Sequence, residues 1–212
     1  SFPTRRSSDL EDAKNDYYKV HTFIKNDFTK KNPFRFLDLG IGSGILSLYL
    51  VSRLEKMKVP YYHNGIDINP LAVKTAQFNA HLNSLDMLNF HHGNITAPLN
   101  SPEEVKPYDL IIFNPPYLAS EPEIINETNI QWIDLAWEGG LEGYEMTLKF
   151  LSQLEPLIKH GTELMFITST KVPQDPIFHK LDEMEIKIMD KLYRKVAFEK
   201  IIMYFCKKDN NN

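Results

Sequence analysis

Cysteine is almost absent from these 212 residues. Its single thiol, Cys206, can form no internal disulfide, so a reducing compartment is expected, the cytoplasm first and the nucleus as the alternative. No apolar run approaches the ~18 to 20 residues of a membrane span, and no secretory leader is read in the polar first residues. A basic excess is missing too. The formal net charge is −4, which argues against a broad nucleic-acid-binding surface. From Pro107 to Leu148 there is neither lysine nor arginine, whereas Asp109, Glu121, Glu123, Glu127, Asp134, Glu138, Glu142 and Glu145 are acidic. Repeats and interdomain linkers are lacking, so residues 11–208 read as a single domain and 209–212 as a short polar tail. A hydrophobic content of 42% is enough for one α/β core. Residues 1–10, S-F-P-T-R-R-S-S-D-L, match one reading frame of a common sequencing-adaptor oligonucleotide. They are set aside as an assembly artefact, the alternative being a disordered polar N-terminus.

What is present alternates between strand-like and helix-like segments, the pattern of a mostly parallel sheet with helices on both faces. Tyr17, Val20, Phe23, Ile24 and Phe28 recur at helical spacing and predict an amphipathic helix over 11–28. Strands are expected at Phe34–Leu39, Tyr61–Ile68, Met87–His91, Tyr108–Phe113 and Thr162–Thr168. Helices are expected at Ile45–Leu54, Leu71–Leu82 with Pro70 as first residue, Tyr144–Ile158 and Pro176–Met184. Ile186–Tyr193 and Lys200–Cys206 alternate across a short link, which predicts an antiparallel hairpin on the sheet edge.

D-L-G-I-G-S-G (Asp38 to Gly44) follows a strand and opens a helix. Gly40, Gly42 and Gly44 let backbone approach a ligand, and the helix start offers free N–H groups. A dinucleotide site would have G-x-G-x-x-G and seat a pyrophosphate there. Asp38 would repel a pyrophosphate and suits a cation, such as the sulfonium and ammonium of S-adenosylmethionine. The plain alternative is a tight turn with no ligand. Asp67, in D-I-N-P at the end of the second strand, can accept two ribose hydroxyls, or simply cap the helix that starts at Pro70. Ile68 follows it on the same rim. Asn94 and Ile95, in H-G-N-I after the third strand, fall where an adenine ring would lie, although Asn after Gly is also ordinary turn chemistry.

L-I-I-F-N-P-P-Y raises a sharper question, because two prolines remove two donors and fix φ twice. Methylating an amide or ring-amine nitrogen is difficult because the lone pair is delocalised. Two acceptors gripping its N–H groups would aim that lone pair and stabilise developing positive charge. The Asn114 side chain and the Pro115 carbonyl can be those acceptors, with Pro116 stiffening the turn and Tyr117 offering a flat face. No general base is needed, since the proton can leave after attack. The alternative is a double-proline turn with a surface tyrosine.

Together, D-L-G-I-G-S-G, D-I-N-P and N-P-P-Y resemble class I S-adenosylmethionine-dependent methyltransferases acting on planar nitrogens. A-W-E-G-G-L-E-G (Ala136 to Gly143) narrows the resemblance to the HemK-like release-factor glutamine methyltransferases, eukaryotic and archaeal branch, over about Phe36 to Lys207. That resemblance implies a Rossmann-like seven-stranded sheet, with Asp38, Gly40, Gly42, Gly44, Asp67, Ile68, Asn94 and Ile95 toward the cofactor. Asn114, Pro115, Pro116 and Tyr117 would hold a glutamine amide. The implied substrate is the Gly-Gly-Gln loop of a class-1 translation release factor, and the implied partner a small zinc-binding activator subunit. This chain departs from the family at Asn94, where Asp is commoner. Only Glu11-Asp12 could stand in for the family's cofactor-closing Glu-Asp-Thr/Ser segment.

N-P-P-Y also occurs in enzymes that methylate adenine N6 or other bases of DNA and RNA. These would flip a base onto Tyr117 and need cations against phosphates. The acidic stretch after Pro107 suits a basic peptide loop instead, or is merely solvated. Lysine methylation would need a general base, which is not evident. A subunit that binds cofactor but only scaffolds a partner is disfavoured by the intact Asn114 and Tyr117. Trp132 and Trp137 either wall the acceptor pocket or anchor the loop. His91 and His92 have no metal-ligand spacing, so no metal site is expected, and Cys206 reads as a small buried apolar residue.

Overall fold

Residues 28–119, 139–196 and 199–209 are described in the computed structural model. Their strands are β1 (Phe34–Leu39), β2 (Tyr61–Asp67), β3 (Asn89–His92), β4 (Leu110–Phe113), β5 (Glu163–Ser169), β6 (Ile186–Val196) and β7 (Glu199–Lys208). All seven form one sheet in the order 3-2-1-4-5-7-6. Strands β1 to β5 run parallel, and β7 inserts antiparallel between β5 and β6. This is the Rossmann-like sheet with an edge hairpin that the alternating pattern predicts.

Period-two alternation sorts the side chains of β1 between two cores. Phe34 and Phe36 pack with Leu48, Val51 and Leu54 of helix α1 (Ile45–Lys56), and with Ala80 of helix α2 (Pro70–Leu82). Leu37 and Leu39 join Phe150 and Leu151 of helix α3 (Glu145–Gln153) and Ile177 and Leu181 of helix α4 (Asp175–Glu183) on the other face. With helices on both faces, all six residues of β1 are buried, as parallel strands require. Cys206 packs in the second of these cores.

Several boundaries differ from the sequence expectation for physical reasons. Met87 is 81% exposed, so β3 starts later, at Asn89. Tyr108 precedes β4 because its backbone is bonded outside the ladder, its N–H donating to the Leu157 carbonyl at 2.9 Å and its carbonyl accepting from the Thr162 hydroxyl at 2.6 Å. Its own hydroxyl accepts from Asn64 Nδ2 and donates to the Glu104 carbonyl, both at 2.7 Å. The helix expected over Tyr144–Ile158 ends at Gln153 and gives way to a 3₁₀ turn at Glu155–Leu157, because Pro156 lacks the N–H that an α-helix would use. Of the helix expected over 11–28, only Phe28 is among the described residues, edge-on to Phe34 with ring centroids 5.1 Å apart. Among the described residues no helix is long and apolar enough to cross a membrane.

Candidate functional site

Parallel strands that end flush create the site. The register pairs Leu39 with both Ile66 and Phe113, and Asp67 with His92. The chain therefore leaves four neighbouring strands at one level, through Gly40, Ile68, Gly93 and Asn114. A cleft of about 320 Å³ opens there, with Gly42, Asp67, Asn94, Ile95, Pro116 and Met146 also on its walls. That volume falls within the range of small-molecule sites. The hollow between α1 and α2 is larger, about 770 Å³, but more open and lined by helix surface rather than strand ends.

The glycine turn owes its path to three left-handed residues, with φ of +72°, +53° and +81° at Gly40, Gly42 and Gly44. Side chains other than glycine rarely adopt this conformation. Gly40 N–H donates to the Ile66 carbonyl at 2.8 Å, and Asn79 of α2 holds the Ser43 carbonyl at 2.9 Å. The Asp67 carboxylate pins the tip, accepting from Gly42 N–H at 2.9 Å and from Asn69 N–H at 2.8 Å. Capping of α2 falls to Asn69, whose side chain accepts from Leu71 N–H at 2.9 Å. Each Asp67 oxygen thus carries one backbone donor and retains a lone pair for another.

Asp38 does not line the cleft. It is buried beneath the turn, where the Ser47 hydroxyl donates to its Oδ2 at 2.6 Å and lies 2.9 Å from His63 Nε2. Burial raises the Asp38 carboxyl to about 6, while the Ser47 hydroxyl and amide oppose that rise. Burial also pushes His63 down to about 3, so a neutral imidazole faces the serine. Gly44 likewise lies behind the cleft, as the residue preceding α1, where a methyl group would stand 3.0 Å from Ala76 Cβ.

On the acceptor side, Asn114 is exposed, Pro115 buried, and Pro116 and Tyr117 half-buried. Asn114 and Pro116 line the cleft, whereas Pro115 and Tyr117 do not. Burial raises the Tyr117 hydroxyl above its ordinary range, and the nearby Glu199 carboxylate adds to that rise. Glu199 is itself held by the Ser169 hydroxyl at the end of β5. Sequence reading missed Glu199 and Met146, because each reaches the site only through the fold, and it passed over Phe113, which lines the cleft at the end of β4 beside Asn114. Gly93 carried a signal in H-G-N-I, since a methyl group there would run into Pro98. At Ile95 the backbone is strained, with φ +50°, an unusual value for a β-branched residue.

Other expectations fall elsewhere. Asp109 is not on the rim. It precedes β4 at the opposite end of the sheet, accepting from Arg35 N–H and pairing with Lys159 at 2.6 Å. Glu145, half-buried at the start of α3, accepts from Glu142 N–H at 3.1 Å. His91 Nε2 sits 2.9 Å from Asn64 Oδ1, and His92 Nε2 sits 3.0 Å from the Ile68 carbonyl. Glu121, Glu123, Glu127, Asp134, Glu138, Trp132, Trp137, Glu11-Asp12, residues 1–10 and most of the tail lie outside the described residues.

These walls fit S-adenosylmethionine. Asp67 retains acceptor capacity for a diol, Ile68 and Ile95 are apolar enough for a purine, and nothing stands within 4 Å of where a Gly42 side chain would be. The sequence model of the methyltransferase small domain family matches residues 21–132. The chain is 30% identical to a Methanocaldococcus jannaschii protein named as an N5-glutamine methyltransferase, over 85% of this chain and 84% of that one. It is 28% identical to the eRF1 methyltransferase catalytic subunit mtq2 of Schizosaccharomyces pombe, over 76% and 71%. In architecture it is similar to the E. cuniculi Mtq2-Trm112 complex structure, with TM-score 0.58 and 18% identity, covering 92% of this chain and 96% of that one. A match over half its length and a relative aligned nearly end to end converge with the site geometry: the chain belongs to the methyltransferase small domain family, enzymes that take their methyl group from S-adenosylmethionine.

Proposed function

We propose that this chain methylates the side-chain amide of a glutamine in the Gly-Gly-Gln loop of a class-1 translation release factor, a substrate that places the reaction in the cytoplasm. One observation carries the reading. Asn114 leaves β4 exposed in the same cleft as Asp67 and Gly42, and two residues without N–H groups follow it. The names of the M. jannaschii and S. pombe relatives support a glutamine acceptor.

S-adenosylmethionine, when bound, would supply an electrophilic methyl group and leave as S-adenosylhomocysteine, its sulfur keeping the electron pair of the broken S–C bond. Gly40, Gly42, Asp67, Ile68, Asn94 and Ile95 would hold it, with Asp38 acting from beneath by fixing the start of α1. The Asn114 side-chain oxygen accepts one N–H of the substrate amide and the Pro115 carbonyl the other. This orients the nitrogen lone pair and favours the positive charge that develops as the nitrogen is alkylated. Tyr117 provides a flat face, and the raised Tyr117 hydroxyl stays neutral. The amide proton passes to water once the new bond has formed. A small zinc-binding activator subunit is the proposed partner; the likeness to the Mtq2-Trm112 complex supports a small second subunit.

The test offers labelled methyl donor to a release factor, to its Gln-to-Ala loop variant and to oligonucleotides, with and without the activator. Label on the unaltered factor alone is expected. Label on oligonucleotides but not on protein would replace this reading with base methylation.

A further inference from the structure

A-W-E-G-G-L-E-G has no role in the chemistry above, yet its second half touches the acceptor loop. Gly139 N–H donates to the Leu118 carbonyl at 2.8 Å, and the Gly139 carbonyl accepts from Met146 N–H, on a residue that lines the cleft, at 3.1 Å. A methyl group on Gly139 would stand 2.9 Å from the Pro116 carbonyl oxygen and 2.8 Å from that of Gly143. On Gly143 it would stand 2.6 Å from the Tyr117 carbonyl oxygen and 3.1 Å from Val172. Across the loop, Gly40 of the cofactor turn faces the Asn114 carbonyl, at 3.4 Å from a built Cβ. Glycines from two turns therefore abut the carbonyls of Asn114, Pro116 and Tyr117.

We propose that Gly139 and Gly143 are positioning residues for methyl transfer, setting the direction of the Pro115 carbonyl that grips the substrate amide. The proline rings fix φ at 115 and 116. With the Asn114 carbonyl bounded by Gly40 and the Pro116 and Tyr117 carbonyls by Gly139 and Gly143, ψ of Pro115 is the remaining freedom, and chain closure sets it. The inner segment is itself braced. Gly140 and Gly143 adopt φ of +102° and +87°, and Glu142 N–H donates to Glu145 Oε1 at 3.1 Å, at the start of α3. A side chain at Gly139 or Gly143 must push a backbone carbonyl, not the flexible end of a side chain. A displacement approaching 1 Å at an acceptor costs on the order of 10²-fold in rate.

This inference rests on N-P-P-Y being the acceptor site, and the test separates the two. Gly143→Ala and Gly139→Ala are compared with Gly161→Ala in the full chain. Gly161 has φ +83° and nothing within 4 Å of a built Cβ, so its variant carries the backbone strain without the contact. Gly139 lacks the positive φ of the others, so its variant reports the contact without that strain and serves should Gly143→Ala fail to fold. The expected result is a kcat lower by ~10- to 100-fold for the first two, with the Kd for S-adenosylhomocysteine within about twofold by calorimetry. Gly161→Ala should lose thermal stability and keep its kcat. A crystal structure of Gly143→Ala or Gly139→Ala should show the Pro115 carbonyl moved. Unmoved carbonyls with full turnover would overturn the proposal, as would an affinity loss matching the turnover loss. Wild-type turnover in Asn114→Ala would instead remove the acceptor reading itself, whatever the glycine variants do.

Discussion

Two glycine turns flank the cleft, and Gly42 of one and Gly139 and Gly143 of the other use glycine for opposite reasons. In the turn from Gly40 to Gly44, the central Gly42 faces open space, with nothing within 4 Å of a built Cβ. The missing side chain leaves room for a ligand, and the Asp67 carboxylate fixes the backbone from below. In the turn from Gly139 to Gly143, the missing side chains are replaced by the carbonyls of Pro116 and Tyr117 at 2.6 to 2.9 Å. One turn is shaped to receive a molecule, the other to grip a loop. A glycine-rich motif therefore does not by itself announce a ligand; what stands where the Cβ would be decides.

The contrast breaks most visibly at the acceptor. Asn114→Ala should lower kcat by ~10² or more, the cost of losing a transition-state acceptor, while Kd for S-adenosylhomocysteine stays within about twofold. Equal turnover would show that the cleft's two sides are not divided as described. The cofactor side should respond in the other quantity. Asp67→Ala removes a charged acceptor for ligand and turn together, worth about 1.5–3 kcal/mol, so Kd should rise by roughly 10- to 100-fold in a calorimetric titration. Gly42→Ala is milder. The methyl group it places in the open cleft should weaken Kd by ~10-fold, while the left-handed strain of roughly 1–2 kcal/mol is common to free and bound forms and lowers stability instead. A loss of kcat at constant Kd in Gly42→Ala would erase the distinction between the turns.

Much of this was legible in the residues because it depends on local pattern. The all-apolar run in β1, Pro70 at the head of α2 and the edge hairpin follow from periodicity and backbone chemistry, and strand ends in a parallel sheet must share a rim. The cleft walls at Gly40, Asp67, Asn94 and Asn114 were therefore predictable. Met146 and Glu199 were not, because no spacing relates them to N-P-P-Y; the α3 packing and the β5–β7 pairing bring them there. Asp109 erred the other way. Neighbours in sequence stand at opposite ends of a strand when it runs through the core, and four residues of β4 carry Asn114 to the cleft while leaving Asp109 behind.

Asp38 tests the same lesson about position. A charge motive for a cation suggested that it faces the ligand, yet it is 1% exposed with Ser47 as partner. Its carboxyl rises from 3.8 to about 6, so between those values the folded chain holds more proton than the unfolded chain. Stability from this group therefore falls as pH rises from about 4 to about 6, and is flat above. Asp38→Asn removes the buried charge and with it that slope. Keeping the carboxylate ionised in the folded chain costs roughly 3 kcal/mol, a net cost in which the opposing Ser47 hydrogen bonds are already counted, so the gain at pH 7 is up to about 3 kcal/mol. Denaturant melts at pH 4 and pH 7 check this: the variant should be more stable than wild type at pH 7 and no more stable at pH 4. A loss of stability at both values would mean that the charged carboxylate is needed to hold the start of α1, and the turn above it, in place.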